Sequence, residues 1–129
     1  MILKASLALI ALACPAGAET ALLSMEFPSE TFSLSPDSEM EAEMVLDMNG
    51  QGAIAIWLDP SEAKAFGLFT SRHVGEVAVI RICDVEVSRP LLQTPLLGGS
   101  LMIVSDVATN IERWLGILNA RSCDPAPDI

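Results

Sequence analysis

The stretch from Met40 to Met48 alternates apolar and acidic positions with a period of two. One face carries Met40, Ala42, Met44, Leu46 and Met48; the other carries Glu39, Glu41, Glu43 and Asp47, and only Val45 breaks the alternation. Because successive side chains of a strand point to opposite faces, the pattern predicts a half-buried strand with its methionines in the core and its acids in water. Asn49-Gly50 then predicts a hairpin turn into a second, more apolar strand over residues 53–58.

Two segments carry helix signals. Asp59 can cap a helix, Pro60 suits its first turn and Glu62 completes a capping box, so a helix is predicted to begin there and to end before Gly75. A second helix is predicted from about Ser105, because one apolar stripe recurs at helical spacing through Val107, Ile111, Trp114, Leu115 and Leu118. Its polar side is not basic, which favours a core helix over a membrane-surface helix.

The remaining apolar runs are typical of short strands. Residues 76–87 predict a hairpin or bent strand interrupted at Cys83-Asp84, and residues 91–94 and 101–104 predict two more strands around Pro95 and Gly98-Gly99. Strands and helices mix without a regular β-α-β alternation. The sequence therefore predicts an α+β fold, with an antiparallel-rich mixed sheet and two helices packed on one of its faces.

The N-terminus has the parts of a secretory signal peptide. Lys4 precedes an apolar run and a small-residue end, which predicts a leader over residues 1–18, cleaved between Ala18 and Glu19. An alternative is that Cys14 is the lipidated cysteine of a bacterial lipoprotein. The remaining residues, 19–129, are enough for a single domain, with a flexible tail expected from about residue 124 and no membrane-spanning stretch. The expected location is the periplasm or the exterior.

The charge balance excludes some partners. The chain carries 17 acidic residues against 7 Lys and Arg, a formal net charge of −10, and the predicted cleavage would remove Lys4 but no acid. Because nucleic acids and anionic lipids are bound by clustered Lys and Arg, nucleic-acid binding is excluded as a function.

Cys83 and Cys123 are the two cysteines that remain after the predicted cleavage. In an oxidising compartment such a pair predicts a structural disulfide, worth about 3–4 kcal/mol in the chain-entropy model. A reactive thiol or a metal pair is the alternative, but neither cysteine lies in a CxxC motif and no histidine is nearby in sequence.

Little in the chain indicates catalysis. His73 is the only histidine, and Ser71-Arg72-His73 offers no adjacent carboxylate to orient it, so a role in capping or bonding a loop is favoured. The acidic run lacks the spacing of a calcium loop, and no Gly-x-Ser-x-Gly elbow occurs. We therefore expect no enzyme and no cofactor. Met40, Met44 and Met48 leave open a copper site, because thioethers are soft ligands.

Residues 53–118 resemble a known family. In order along the chain, the residues that carry the likeness are Phe66, Phe69, Thr70, Val74, Gly75, Ser88, Pro90, Pro95, Leu96, Gly98 and Gly99. This ordered set is similar to the head subdomain of the first periplasmic domain of SecD, the protein-export membrane subunit. Two positions depart from the family pattern. His73 stands where the family commonly has Asn, and Cys83-Asp84 stands in place of the Asp-Gly of the hairpin turn.

The resemblance implies a periplasmic, non-enzymatic binding or accessory domain that engages exported polypeptide or another envelope protein. Because the membrane helices of SecD do not accompany the likeness, only the binding part of that role is expected. The candidate partner-binding region comprises Ser88, Pro90, Pro95, Gly98 and Gly99. Two other functions remain alternatives: a small copper-binding envelope protein using the three methionines, and a structural subunit of an envelope complex.

Overall fold

The computed structural model describes residues 20–105 and 107–123. The elements follow in the order β1 (Leu23–Phe27), β2 (Glu30–Leu34), β3 (Met40–Leu46), β4 (Gly52–Leu58), α1 (Pro60–Ser71), β5 (Val79–Ile82), β6 (Val85–Ser88), β7 (Ser100–Val104) and α2 (Ala108–Ala120). The predicted leader with its cleavage site at Ala18 and Glu19, the alternative lipidation at Cys14 and the tail from residue 124 lie outside the described residues. Within the described residues, no helix is long and apolar enough to cross a membrane.

The strands form two sheets, and every pairing between them is antiparallel. One sheet has the order β2-β1-β5-β6 and the other the order β3-β4-β7. The α+β class is thus confirmed, but the strands do not join in one sheet, because β7 pairs with β4 whereas β6 pairs with β5. Strands β6 and β7 are consequently the edges of separate sheets, and they contact each other.

The predicted hairpin over β3 and β4 is confirmed. The two strands pair along their whole length, and the turn is held by the Asp47 carboxylate, which accepts from the amides of Asn49 and Gln51 at 2.8 Å each. The expectation that all three methionines enter the core is wrong. Met40 is buried, but Met44 is exposed because β3 is an edge strand, and Met48 lies in the turn, fully exposed.

The hairpin over β5 and β6 is also confirmed. Cys83 and Asp84 form its turn with φ values of 51° and 68°, the left-handed region that tight hairpin turns require. The predicted strand over residues 91–94 is reduced to a single bridge between Val77 and Leu91, because the prolines on either side limit ladder bonding. The hairpin of β1 and β2 was not predicted.

Both helices pack against the three-stranded sheet. Helix α1 begins at the predicted cap, where the Asp59 carboxylate accepts from the Glu62 amide at 2.8 Å, and it ends before Gly75 as expected. Helix α2 begins later than predicted, after Val107, and buries Ile111, Trp114 and Leu118.

The core lies between the two sheets and the helices. The four-stranded sheet contributes Leu23, Met25, Phe27, Leu34, Ile80 and Ile82, and the three-stranded sheet contributes Ile54, Ile56, Leu101 and Ile103. Phe66 and Phe69 of α1 pack on Phe32 at ring-centroid distances of 5.1 and 5.5 Å, which joins the helix to the four-stranded sheet. In the structure a disulfide links Cys83 to Cys123, so the chain after α2 is tied to the turn between β5 and β6.

Candidate functional site

A groove lies where the edges of the two sheets meet. Its volume is about 290 Å³, and it is lined by Met25, Ala78, Ile80, Pro90, Leu91, Leu92, Gln93, Thr94, Leu96, Leu101 and Met102. Nine of these eleven side chains are apolar. The groove is therefore suited to apolar groups of a ligand rather than to charged ones.

Buried and exposed side chains divide the groove into a floor and a rim. Met25, Ala78 and Ile80 are buried and form the floor, whereas Leu91 and Met102 at the rim retain 53% and 51% of their exposure. A contiguous apolar surface that remains open to water loses unfavourable hydration when a partner covers it. The rim leucine and methionine are thus the side chains from which binding would gain most.

One wall of the groove is an irregular segment, residues 89–99, that is held by backbone hydrogen bonds. The Gly75 amide donates to the Leu92 carbonyl at 2.7 Å, the Leu92 amide donates to the Glu76 carbonyl at 2.9 Å, and the Ala78 amide donates to the Pro90 carbonyl at 2.8 Å. These bonds fix residues 90–92 beside the chain that leads into β5. This part of the wall is pre-organised, which lowers the entropy lost when a ligand binds.

The far end of the same segment is fastened to α1. The buried Thr70 hydroxyl accepts from the Leu96 amide at 2.9 Å and donates to the Gly67 carbonyl at 3.2 Å. Gly99 has a φ of +76°, and a Cβ there would lie 2.5 Å from the Cβ of Ala63. A glycine is required because the chain passes too close to the helix for any side chain.

The predicted partner-binding residues occupy different parts of this site. Pro90 lines the groove, Ser88 ends β6 next to it, and Pro95 is exposed on the wall segment. Gly98 and Gly99 lie outside the lining and instead set the path of the chain into β7. The rim residues Leu91 and Met102 were missed. The run of leucines between the two prolines was the signal that could have found Leu91.

The groove also borders one strand edge, that of β7. Among the described residues β7, which supplies Leu101 and Met102 to the lining, pairs with β4 alone, so its other edge has no strand partner. An extended peptide can bond to such an edge while its alternate side chains enter the neighbouring pocket. The geometry thus offers both main-chain and side-chain contacts to an extended chain.

His73 forms a buried cluster separate from the groove. Its ring stacks on Phe27 at a centroid distance of 4.4 Å, and its side chain is only 4% exposed. Nε2 lies 2.6 Å from Glu30 Oε1, and Nδ1 lies 3.2 Å from Glu76 Oε1. The expectation that no carboxylate orients this ring is wrong, because one partner comes from β2 and the other from the turn after α1.

These contacts shift the ionisation of the cluster. Hydrogen bonds from Arg72 and then from His73 lower the pKa of Glu30 to about 2, and the bond to Glu30, followed by the bond to Glu76, raises the pKa of His73. When the ring is protonated, each of its nitrogens donates to a carboxylate. The cluster joins β2 to the end of α1, in keeping with the predicted loop-bonding role of the histidine.

The three methionines considered as copper ligands are not brought together. An extended strand separates the Cα atoms of Met40 and Met44 by about 13 Å, and Met48 lies in the turn beyond β3. Within residues 20–105 and 107–123, no group of three or more His, Cys, Asp or Glu side chains is placed to hold a metal ion.

Comparisons with known proteins identify relatives of the chain. No family model matches it. The protein translocase subunit SecD of Dictyoglomus turgidum is 30% identical over 111 residues, which is 84% of this chain, and SecD of Rhodobacter capsulatus is 34% identical over 90 residues, which is 70%. The chain is a SecD-like domain. It spans 27% and 16% of the lengths of these two relatives.

Solved structures agree in fold. Two SecDF structures, one described as a membrane component that enhances protein export and the other as a super-membrane-facing form, superpose with TM-scores of 0.60 and 0.59. Each match covers 73% of the chain, at 18% sequence identity, and takes in 44% and 13% of the respective SecDF chains. The SecD-like domain therefore shares its fold with part of SecDF, and the likeness predicted from the ordered Phe, Pro and Gly positions is confirmed.

Proposed function

We propose that this SecD-like domain is a non-enzymatic binding domain of protein export that captures extended, apolar segments of polypeptide in the groove formed by β5, β7 and the segment of residues 89–99. The observation that carries the proposal is the groove itself, which combines an apolar lining with the free edge of β7. The relatives named as translocase subunits, and the SecDF protein described as enhancing export, support a polypeptide as the ligand class.

The size of the groove favours an extended segment over a folded surface. At about 290 Å³ it lies at the lower limit of small-molecule pockets, which hold about 300–1,000 Å³. It can receive a few side chains at a time. The ligand's backbone would bond to a free strand edge, and its alternate side chains would cover Leu91 and Met102.

The location that fits this function is the periplasm. The proposal includes removal of residues 1–18 as a leader, with cleavage between Ala18 and Glu19. N-terminal sequencing of the protein recovered from the cell envelope tests this part: Glu19 at the N-terminus supports it, and an intact Met1 or a lipid on Cys14 contradicts it.

A binding experiment with an unfolded probe tests the groove. Carboxymethylated, reduced α-lactalbumin provides a permanently unfolded polypeptide, whose affinity for the purified protein can be measured by fluorescence anisotropy. Leu91→Asp places a charge at the rim and is expected to weaken binding at least tenfold, since the carboxylate would be desolvated against an apolar ligand.

Leu68→Asp is the matched control. Leu68 is exposed on α1 to 58%, close to the 53% of Leu91, so the same substitution changes charge and exposed leucine area to a similar extent away from the groove. Unchanged affinity in Leu68→Asp with weakened affinity in Leu91→Asp supports the proposal. Equal affinities in the two variants contradict it.

A further inference from the structure

The outer face of the three-stranded sheet is apolar at its centre. The side chains of Ile54 and Ile56 point to the core, so those of the alternate positions point outward. Through the strand register these form one surface, here called the Trp57 face: Val45, Ala53, Ala55, Trp57, Met102 and Val104, with Glu41 and Glu43 at its β3 edge.

The large side chains of the Trp57 face are open to water. Trp57, Met102 and Val104 remain 42%, 51% and 44% exposed. Both helices pack against this sheet, and the Cγ1 atom of Ile111 in α2 lies 3.8 Å from the position of a Cβ on Gly52, which is on the core side of β4. The described residues therefore leave an indole, a thioether and a valine partly open to water around Ala53 and Ala55, which are themselves buried.

The charge on this surface has one sign. Glu41 lies directly across from Trp57, and Glu43 lies across from Ala55. Neither carboxylate has an ion-pair partner among the described residues. A cation, Arg121, lies at the end of the face, and its guanidinium donates to the Met40 carbonyl at 2.9 Å.

We propose that the Trp57 face docks a second class of polypeptide segment, one that carries Lys or Arg among apolar residues. Its cations would pair with Glu41 and Glu43 and lie over the electron-rich indole of Trp57. Its apolar side chains would cover Met102 and Val104. This surface shares Met102 with the rim of the proposed groove but goes beyond it, because it selects its ligand by positive charge.

The same charges exclude other occupants of the face. A second copy of this chain would bring the carboxylates of two faces together, and the net charge of −10 opposes that contact. An uncharged apolar partner would desolvate Glu41 and Glu43 without compensation. Anionic lipids are repelled by the same two groups.

The strand geometry also sets a spacing for the ligand. Glu39, Glu41 and Glu43 are alternate residues at the β3 edge, so neighbouring carboxylates are about 7 Å apart along the strand. An extended segment with a cation at every second position matches this spacing. The cation nearest Glu39 and Glu41 would enter a depression of about 400 Å³ whose lining contains three carboxylates, with Asp59 as the third, against the single guanidinium of Arg121.

Three synthetic peptides of equal length test the proposal, with Val at one set of alternate positions and Lys, Gln or Glu at the other. Their binding to the purified protein is followed by isothermal titration calorimetry at low and at moderate salt. The Lys peptide is expected to bind at least tenfold more tightly than the Gln peptide, and the Glu peptide is expected not to bind. Added salt should weaken the binding of the Lys peptide, because it screens the attraction between opposite charges.

Variants locate the binding. The double variant Glu41→Gln/Glu43→Gln keeps the shape of the face and is expected to weaken binding of the Lys peptide at least tenfold. Trp57→Leu keeps an apolar group but removes the indole, and it is expected to weaken binding of the same peptide about threefold or more. Glu112→Gln, which removes an exposed carboxylate from α2, is the matched control and should bind as the unmodified protein does. Equal affinity in the Glu41/Glu43 double variant and the Glu112 control overturns the proposal.

The groove and the Trp57 face can fail independently. Leu91→Asp should leave the affinity for the Lys peptide unreduced, while it weakens the binding of the unfolded probe. If Leu91→Asp abolishes binding of the Lys peptide and the Glu41/Glu43 double variant does not, that peptide binds in the groove. The Trp57 face is then wrong as a docking surface, and the proposed function of the groove stands.

Discussion

Replacing Gly99 by alanine is expected to destabilise the protein strongly, for two separate reasons. A residue with a Cβ at a φ of +76° carries backbone strain of about 1–2 kcal/mol. The new Cβ would also lie 2.5 Å from the Cβ of Ala63, where carbon atoms prefer about 3.5–4.0 Å, and relieving such overpacking costs about 1–3 kcal/mol. The expected loss in the free energy of unfolding is therefore about 2–5 kcal/mol.

Other glycines separate the two contributions in urea unfolding experiments. Gly50 has a φ of +80° and no atom within 4 Å of its Cβ position, so Gly50→Ala should show the backbone strain alone. Gly98→Ala meets neither problem and should cause no loss. Adding Ala63→Gly to Gly99→Ala should restore part of the stability, because it removes the contacting methyl group. Equal losses for Gly99→Ala and Gly50→Ala would refute the close approach between residue 99 and α1.

Three more outcomes follow from the contacts around the core. Replacing Cys83 and Cys123 by serine should lower the free energy of unfolding by about 4 kcal/mol, since the linkage closes a loop of 40 residues, and an unchanged urea midpoint would contradict the pairing. The pKa of His73 is raised on folding, so its ionised form stabilises the protein fully below its ordinary pKa of 6.5, and this stabilisation is lost as the pH rises through the folded-state pKa. The pKa of Glu30 is lowered to about 2 on folding, so its carboxylate stabilises the protein fully above its ordinary pKa of 4.5, and this stabilisation is lost as the pH falls toward 2. Melting temperatures against pH should therefore fall on both sides of pH 4.5–6.5, and His73→Gln should abolish the alkaline fall; an unaltered alkaline fall would contradict the assignment. Thr70→Val should lower the free energy of unfolding in urea by about 1–3 kcal/mol, because it leaves the partly buried Leu96 amide of the groove wall without its acceptor. A loss below about 0.3 kcal/mol would show that this amide finds another acceptor.

Local signals predicted much of the fold. The period of two over β3, the Asn49-Gly50 turn and the cap at Asp59 each depend on residues close in sequence, and the structure places β3, β4 and α1 where these patterns indicate. The same local pattern misplaced the methionines. Alternation tells which face a side chain occupies, but whether that face is covered depends on which strand forms the edge of the sheet.

The features that required the tertiary structure depend on distant pairings. The division into two sheets follows from the choice of β7 to pair with β4, which no local pattern reveals. Glu30 reaches His73 from 43 residues away, and only its partner Glu76 was near enough in sequence to be suspected. The groove likewise arises from β5, β7 and the wall segment together, so sequence located its Pro90 but not its rim at Met102.

Site-specific photo-crosslinking in living cells tests the central claim, that the groove captures polypeptide, most directly. A benzophenone amino acid in place of Leu91 would report contacts at the groove rim, and the same group in place of Leu68 would report encounters at an equally exposed position on α1. We expect adducts with exported polypeptides from position 91, diminished when export is blocked, and only background from position 68. Equal yields from the two positions, or no adducts from position 91, would contradict capture by the groove.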